Sequence, residues 1–103
     1  MSVDDRPRVD NAHLARRARL IAQYGKPETT DTVAALKLVP GGIGVDPHDA
    51  MAFLYGSREA AEAFAASNLE HQGFPSLGII KTERGWIGVI DMRSWRAHVR
   101  KSG

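Results

Sequence analysis

Leu77-Gly78-Ile79-Ile80-Lys81 and Trp86-Ile87-Gly88-Val89-Ile90, joined by Thr82-Glu83-Arg84-Gly85, decide how this chain is read. Two apolar, β-branched runs around a short polar connection that ends in glycine predict a β-hairpin, with Gly85 as the positive-φ corner. Both faces of both strands carry apolar residues, so the hairpin is expected to be central in its sheet or covered on each side.

Downstream, Asp91 is a natural cap for a last helix from Met92 to about Lys101, with Met92, Trp95 and Val99 as its apolar stripe. Upstream, Ser57 caps a helix from Arg58 to Gln72 that Gly73 terminates. Ala61, Phe64, Ala65 and Leu69 form its buried stripe, and Asn68 falls inside that stripe. A buried amide must be satisfied, so Asn68 is expected either to bond backbone or to mark a contact surface. Before this helix, Met51, Phe53 and Tyr55 alternate with Leu54 as a strand should, and Gly56-Ser57 argues against one continuous helix over 48–72.

The run Thr32 to Val39 is ambiguous. Val33, Leu36 and Val39 allow a short helix capped by Asp31. The closing Leu-Lys-Leu-Val alternation and the stop at Pro40-Gly41-Gly42 favour a strand, which is the reading taken. Residues 26–31 read as a loop. A first helix spans about 11–24, capped by Asp10 or Asn11 and ended by Gly25, with Pro27 preventing resumption. Leu14, Ala18, Ile21 and Tyr24 share its apolar face, opposite Arg16, Arg19 and Gln23. Arg17 falls close to that face and must snorkel or pair.

These elements predict an α+β domain with a small, mostly antiparallel sheet of three or four strands, including the hairpin at about 77–90, and about three helices packed on it. Residues 1–9 are expected to be a flexible tail and 10–103 a single globular domain. The strand–helix–hairpin stretch from Phe53 to Ile90, with Gly56, Ala60, Ala63 and Gly73, loosely resembles half of a SPOR-type peptidoglycan-binding domain. That resemblance covers under half of the chain and rests on element order rather than on a motif, so it brings no activity or site residue with it.

The chain has 103 residues, 43% hydrophobic and 25% charged, the balance of a globular protein rather than a disordered one. It has no cysteine, which excludes disulfides, thiolate metal sites and a Cys nucleophile and suits the cytoplasm. The N-terminus shows no apolar signal region, and no run approaches the ~18 apolar residues of a membrane span. The expected compartment is therefore cytoplasmic. The formal net charge of +2 conceals a segregated distribution: net +3 over residues 1–26, −5 over 27–80 and +4 over 81–103. Clustered charge of this kind is a physical handle for a partner.

The candidate binding residues lie in the two basic ends. Arg93, Arg96 and Arg100 follow i, i+3, i+7 spacing along one flank of the last helix, and Lys101 extends the charge. Arg16 and Arg19 add to it from the first helix. Such a flank can meet phosphates or carboxylates bidentately, or pair with Glu59, Glu62 and Glu70 inside the fold. The loop 40–49 offers Asp46, His48 and Asp49 as acid, base or metal ligands, against a simpler role for Asp as a turn cap. His13, His48-Asp49 and Asp91 follow the ligand order of HD-type phosphohydrolases, but those enzymes are all-helical and far longer. No Ser-nucleophile or phosphate-loop motif is present. The expectation is a small accessory or regulatory protein, not an enzyme, that binds another macromolecule, most simply a protein or a second copy of itself. Nucleic-acid binding through the basic helices is the alternative, and an enzyme or metal site at Asp46, His48 and Asp49 a weaker one. No catalytic residue, cofactor or resident metal is assigned.

Overall fold

The computed structural model describes residues 11–95, which run α1 (Asn11–Tyr24), β1 (Glu28–Thr29), α2 (Thr32–Leu38), β2 (Ala50–Tyr55), α3 (Arg58–Gln72), β3 (Ser76–Thr82) and β4 (Gly85–Asp91). Two 3-10 turns, Pro40–Gly42 and Pro47–Asp49, carry the chain from α2 into β2. The strands form one antiparallel sheet in the order β1-β2-β4-β3. The α+β expectation holds. Within the hairpin, β4 is central, whereas β3 is an edge strand.

Register decides which side chains meet. Tyr55 opposes Trp86, Phe53 opposes Gly88 and Met51 opposes Ile90, so these residues share one face, and Ile79 joins them beside Gly88. On that face Tyr55 packs with Leu20 of α1 and with Ala60, Ala61 and Phe64 of α3. The absent side chain of Gly88 makes room there, because a Cβ would sit 3.0 Å from Cε2 of Tyr55. The other face carries Ala50, Ala52 and Val89, which close against Ala35, Leu36 and Val39. The sheet is thus covered on both sides, as period-two strands with apolar residues at every position require.

Local chemistry explains the boundaries of α3. The Ser57 hydroxyl accepts a hydrogen bond from the Ala60 N–H at 3.1 Å, and Gly73, at φ +72°, donates to the Leu69 carbonyl at 3.0 Å. The predicted stripe is only partly right, since Leu69 is exposed while Ala60, Ser67 and Asn68 are buried.

Residues 32–38 are helical, which corrects the strand reading of 32–39. The Asp31 carboxylate accepts from the Val33 and Ala34 N–H groups at 3.0 and 3.4 Å and nucleates the first turn. Ala35, Leu36 and Val39 then bury at helical spacing, while Leu38 remains exposed, so the Leu-Lys-Leu-Val alternation is incidental. The fourth strand comes instead from the stretch read as a loop, where Glu28 and Thr29 pair with Leu54 and Phe53.

The inward face of α1 also differs from expectation. His13 and Leu20 are buried and Arg17, Ile21 and Tyr24 half-buried, whereas Leu14 is 54% exposed and Ala18 faces solvent. The helix is rotated so that two polar residues point inward. The 1–9 tail and the Val99 end of the predicted last helix lie outside the described residues; residues 93–95 are helical.

Candidate functional site: a cleft between the helices and the sheet

The inward polar residues of α1 open onto a cleft of about 340 Å³. Its walls come from three elements that the fold brings together. His13, Leu14 and Arg17 contribute from α1, Asn68 and Gln72 from the last turns of α3, and Met51, Phe53, Tyr55 and Ile90 from the sheet face, with Pro27, Phe74 and Met92 completing the rim. No aspartate or glutamate is among these residues.

Each polar group has a definable state. Asn68 is 7% exposed, and its carboxamide makes no hydrogen bond among the described residues, although its backbone carbonyl accepts from Gly73 and Phe74 at the helix end. Of the two expectations for this amide, the backbone bond is absent and the side chain borders the cavity. Tyr55 is buried against Phe64, ring centroids 5.5 Å apart, and burial pushes its phenol up to about 12, with the Arg17 charge pulling slightly the other way. The phenol therefore keeps its proton at neutral pH. The Arg17 guanidinium lies 5.9 Å from the Phe64 ring centroid, an aromatic seat that replaces a counter-ion, and it forms no ion pair among the described residues. The His13 and His71 rings stand 5.8 Å apart at the α1–α3 contact.

The arrangement is a largely apolar recess whose lining also carries a fixed cation, Arg17, and the hydrogen-bonding side chains of Tyr55, Asn68 and Gln72. That composition is typical of small-ligand and side-chain pockets, whose volumes begin near 300 Å³.

The candidates read from charge spacing fall elsewhere. Arg16 and Arg19 are exposed on α1, away from the cleft lining. Arg93 is turned back onto Asp91: its Nε reaches Oδ1 at 2.9 Å and its second terminal nitrogen reaches Oδ2 at 2.7 Å. The Asp91 carboxylate also accepts the Arg93 N–H at 2.9 Å, closing the turn out of β4. The paired guanidinium and these hydrogen bonds hold the Asp91 carboxyl below the usual carboxylate range. Arg93 is thus matched locally, and Arg96, Arg100 and Lys101 lie outside the described residues. Of the acidic residues on α3, Glu62 pairs with Arg58 at 3.3 Å.

Asp46 caps its own 3-10 turn, accepting from the His48 N–H at 2.8 Å and lying 3.1 Å from His48 Nδ1. His48 points into solvent. Among the described residues, no group of three or more His, Asp or Glu is arranged to hold a metal ion. No described helix is long and apolar enough to cross a membrane. No protein-family model, curated protein or solved structure matches the chain.

Reasoning from sequence missed Tyr55, Arg17 and Gln72 as site residues. Two signals were nevertheless present: Arg17 lay beside an apolar helical face, and Asn68 lay inside one. Their meaning depends on those two faces turning toward the same space.

Proposed function

We propose that this protein is a non-enzymatic binding module whose partner is another protein, or a second copy of this chain, and that the cleft receives a group presented by that partner. The observation that carries this reading is Asn68, an amide more than nine-tenths buried, bordering a cavity and unmatched among the described residues. Its amide atoms are not sealed from solvent, so in the isolated protein they meet only water admitted by the cavity, and an incoming group can bond them in its place. Leu14 and Met51 line the same cleft while 54% and 40% exposed, so apolar contact area is available beside the recess. A cytoplasmic setting fits the absence of cysteine.

The test is a two-dimensional NMR titration of the full chain with a fragment set of cationic, neutral and anionic compounds. Shifts concentrated on Arg17, Tyr55, Asn68 and Gln72 are expected. A complete lack of shifts there, across every class of compound, would refute the cleft as the binding surface.

A further inference from the structure

We infer that the cleft recognises a single carboxylate carried on a small apolar body, the chemistry shared by a free aliphatic or aromatic acid and a polypeptide C-terminus ending in an apolar residue. This rests on the cleft being the binding site and adds what it selects.

Charge is the first argument. Arg17 is a fixed cation of the cleft lining, none of the described lining residues is a carboxylate, and the guanidinium has no ion pair among the described residues. A cationic ligand would meet this charge uncompensated in surroundings of low dielectric, whereas an anion is attracted there more strongly than in water. One guanidinium also matches one negative charge. A phosphate dianion would leave a surplus charge in a partly desolvated site, a costly condition.

Donor chemistry is the second. Arg17 only donates hydrogen bonds, and the Tyr55 phenol remains an O–H donor because its burial keeps it protonated far above neutral pH. The Asn68 amide adds two N–H donors without a partner of their own among the described residues. An acceptor-only group is the complement of these donors, and a planar carboxylate suits a guanidinium bidentately.

Size and lining are the third. Phe53, Phe74 and Ile90 give apolar walls, and a volume of about 340 Å³ lies near the lower end for ligand sites. That admits one apolar side chain or ring beneath the charged head, not a nucleotide.

The experiment compares, by NMR titration and calorimetry, phenylacetate and 4-methylpentanoate with their neutral primary amides, with benzylamine and with phenyl phosphate. A pentapeptide ending in leucine is added in free-acid and C-terminally amidated forms. Both monocarboxylates are expected to bind at least tenfold more tightly than their amides and to shift Arg17 and Asn68. Arg17→Gln should abolish that preference, and Asn68→Asp should repel the acids while leaving the amides in place. Variant folding is checked by retained spectral dispersion. If the free-acid peptide outcompetes the small acids, a chain terminus supplies the carboxylate; if only the small acids enter, a free metabolite-sized acid does. Either result supports the inference. Amides binding as well as acids, or an acid preference surviving both variants, would overturn it while leaving the cleft a binding site. If no compound of any class shifts the cleft residues, the underlying reading fails with it.

Discussion

Asn68→Leu is expected to stabilise the protein while blunting its cleft. Asn68 is 7% exposed and its carboxamide makes no hydrogen bond among the described residues, so its polar atoms keep only the water that the cavity admits. An unsatisfied buried polar group of this kind costs about 1–3 kcal/mol. Asn68 borders the cavity, where water reaches it, so the lower end, about 1 kcal/mol, is the appropriate figure. Leucine is also the better helix former at this interior position of α3, by about 0.4 kcal/mol. Phe74 and Ile90 line the same cleft and give the new side chain apolar neighbours. The sum, about 1.4 kcal/mol, corresponds to a rise in Tm of roughly 5–10 °C for a domain of this size.

Urea denaturation followed by circular dichroism measures it directly. With m near 1–3 kcal/mol/M, the midpoint should rise by about 0.5–1.4 M at unchanged slope. Apolar carboxylates should bind the variant more weakly in the same preparation. A midpoint that falls would show that the native amide makes bonds it loses on substitution, and the argument from an unmatched Asn68 would collapse.

Arg93→Ala should lower stability at neutral pH but not in strong acid. Asp91 has a folded-state pKa depressed below 3.8, so its contribution is present above that value and disappears as pH falls through the depressed one; urea midpoints of variant and parent should converge there. Tyr55 behaves oppositely: its folded pKa of about 12 exceeds the ordinary 10.0, so the stability it confers is intact below pH 10 and is lost as pH rises toward 12. Absorbance at 295 nm in a Tyr24→Phe background should show the phenolate appearing only near the upper value. Gly42→Ala should destabilise by about 1–3 kcal/mol, since a Cβ would collide with the Leu36 carbonyl oxygen where the 3-10 turn packs under α2. A midpoint equal to that of the parent would show that this backbone approach is looser than described.

Where the structure follows the sequence, local chemistry was sufficient. The hairpin, β2 and α3 each carry their own termini: Gly85 at the corner, Gly56-Ser57 between strand and helix, Gly73 in the left-handed conformation. Where it departs, the deciding contact is distant in sequence. Eight residues at 32–39 fit period two nearly as well as helical spacing. What selects the helix is the Asp31 cap together with the surface that Ala35, Leu36 and Val39 find against Ala52 and Val89. Glu28 and Thr29 have no strand signature because their role is met by backbone pairing with β2, to which side-chain type contributes little.

The cleft was half legible for a related reason. A helical wheel places α1 by its apolar residues, and that logic assumes the face it meets is a packed core. Here part of that face is a recess, so an Arg whose guanidinium is seated over Phe64 can sit inward while Leu14 turns out. The polar residue in an apolar stripe was readable twice, at Arg17 and at Asn68, once on each helix. Neither position alone separates a tolerated oddity from a site. Their convergence does, because two polar groups facing one cavity are each costly to the fold and jointly useful to a ligand. The segregated charge that marks the sequence from end to end bears on this less than its magnitude suggests. Arg93 is held by Asp91 and Glu62 by Arg58, whereas Arg17 forms no ion pair among the described residues and lies in a cleft whose described lining includes no acid.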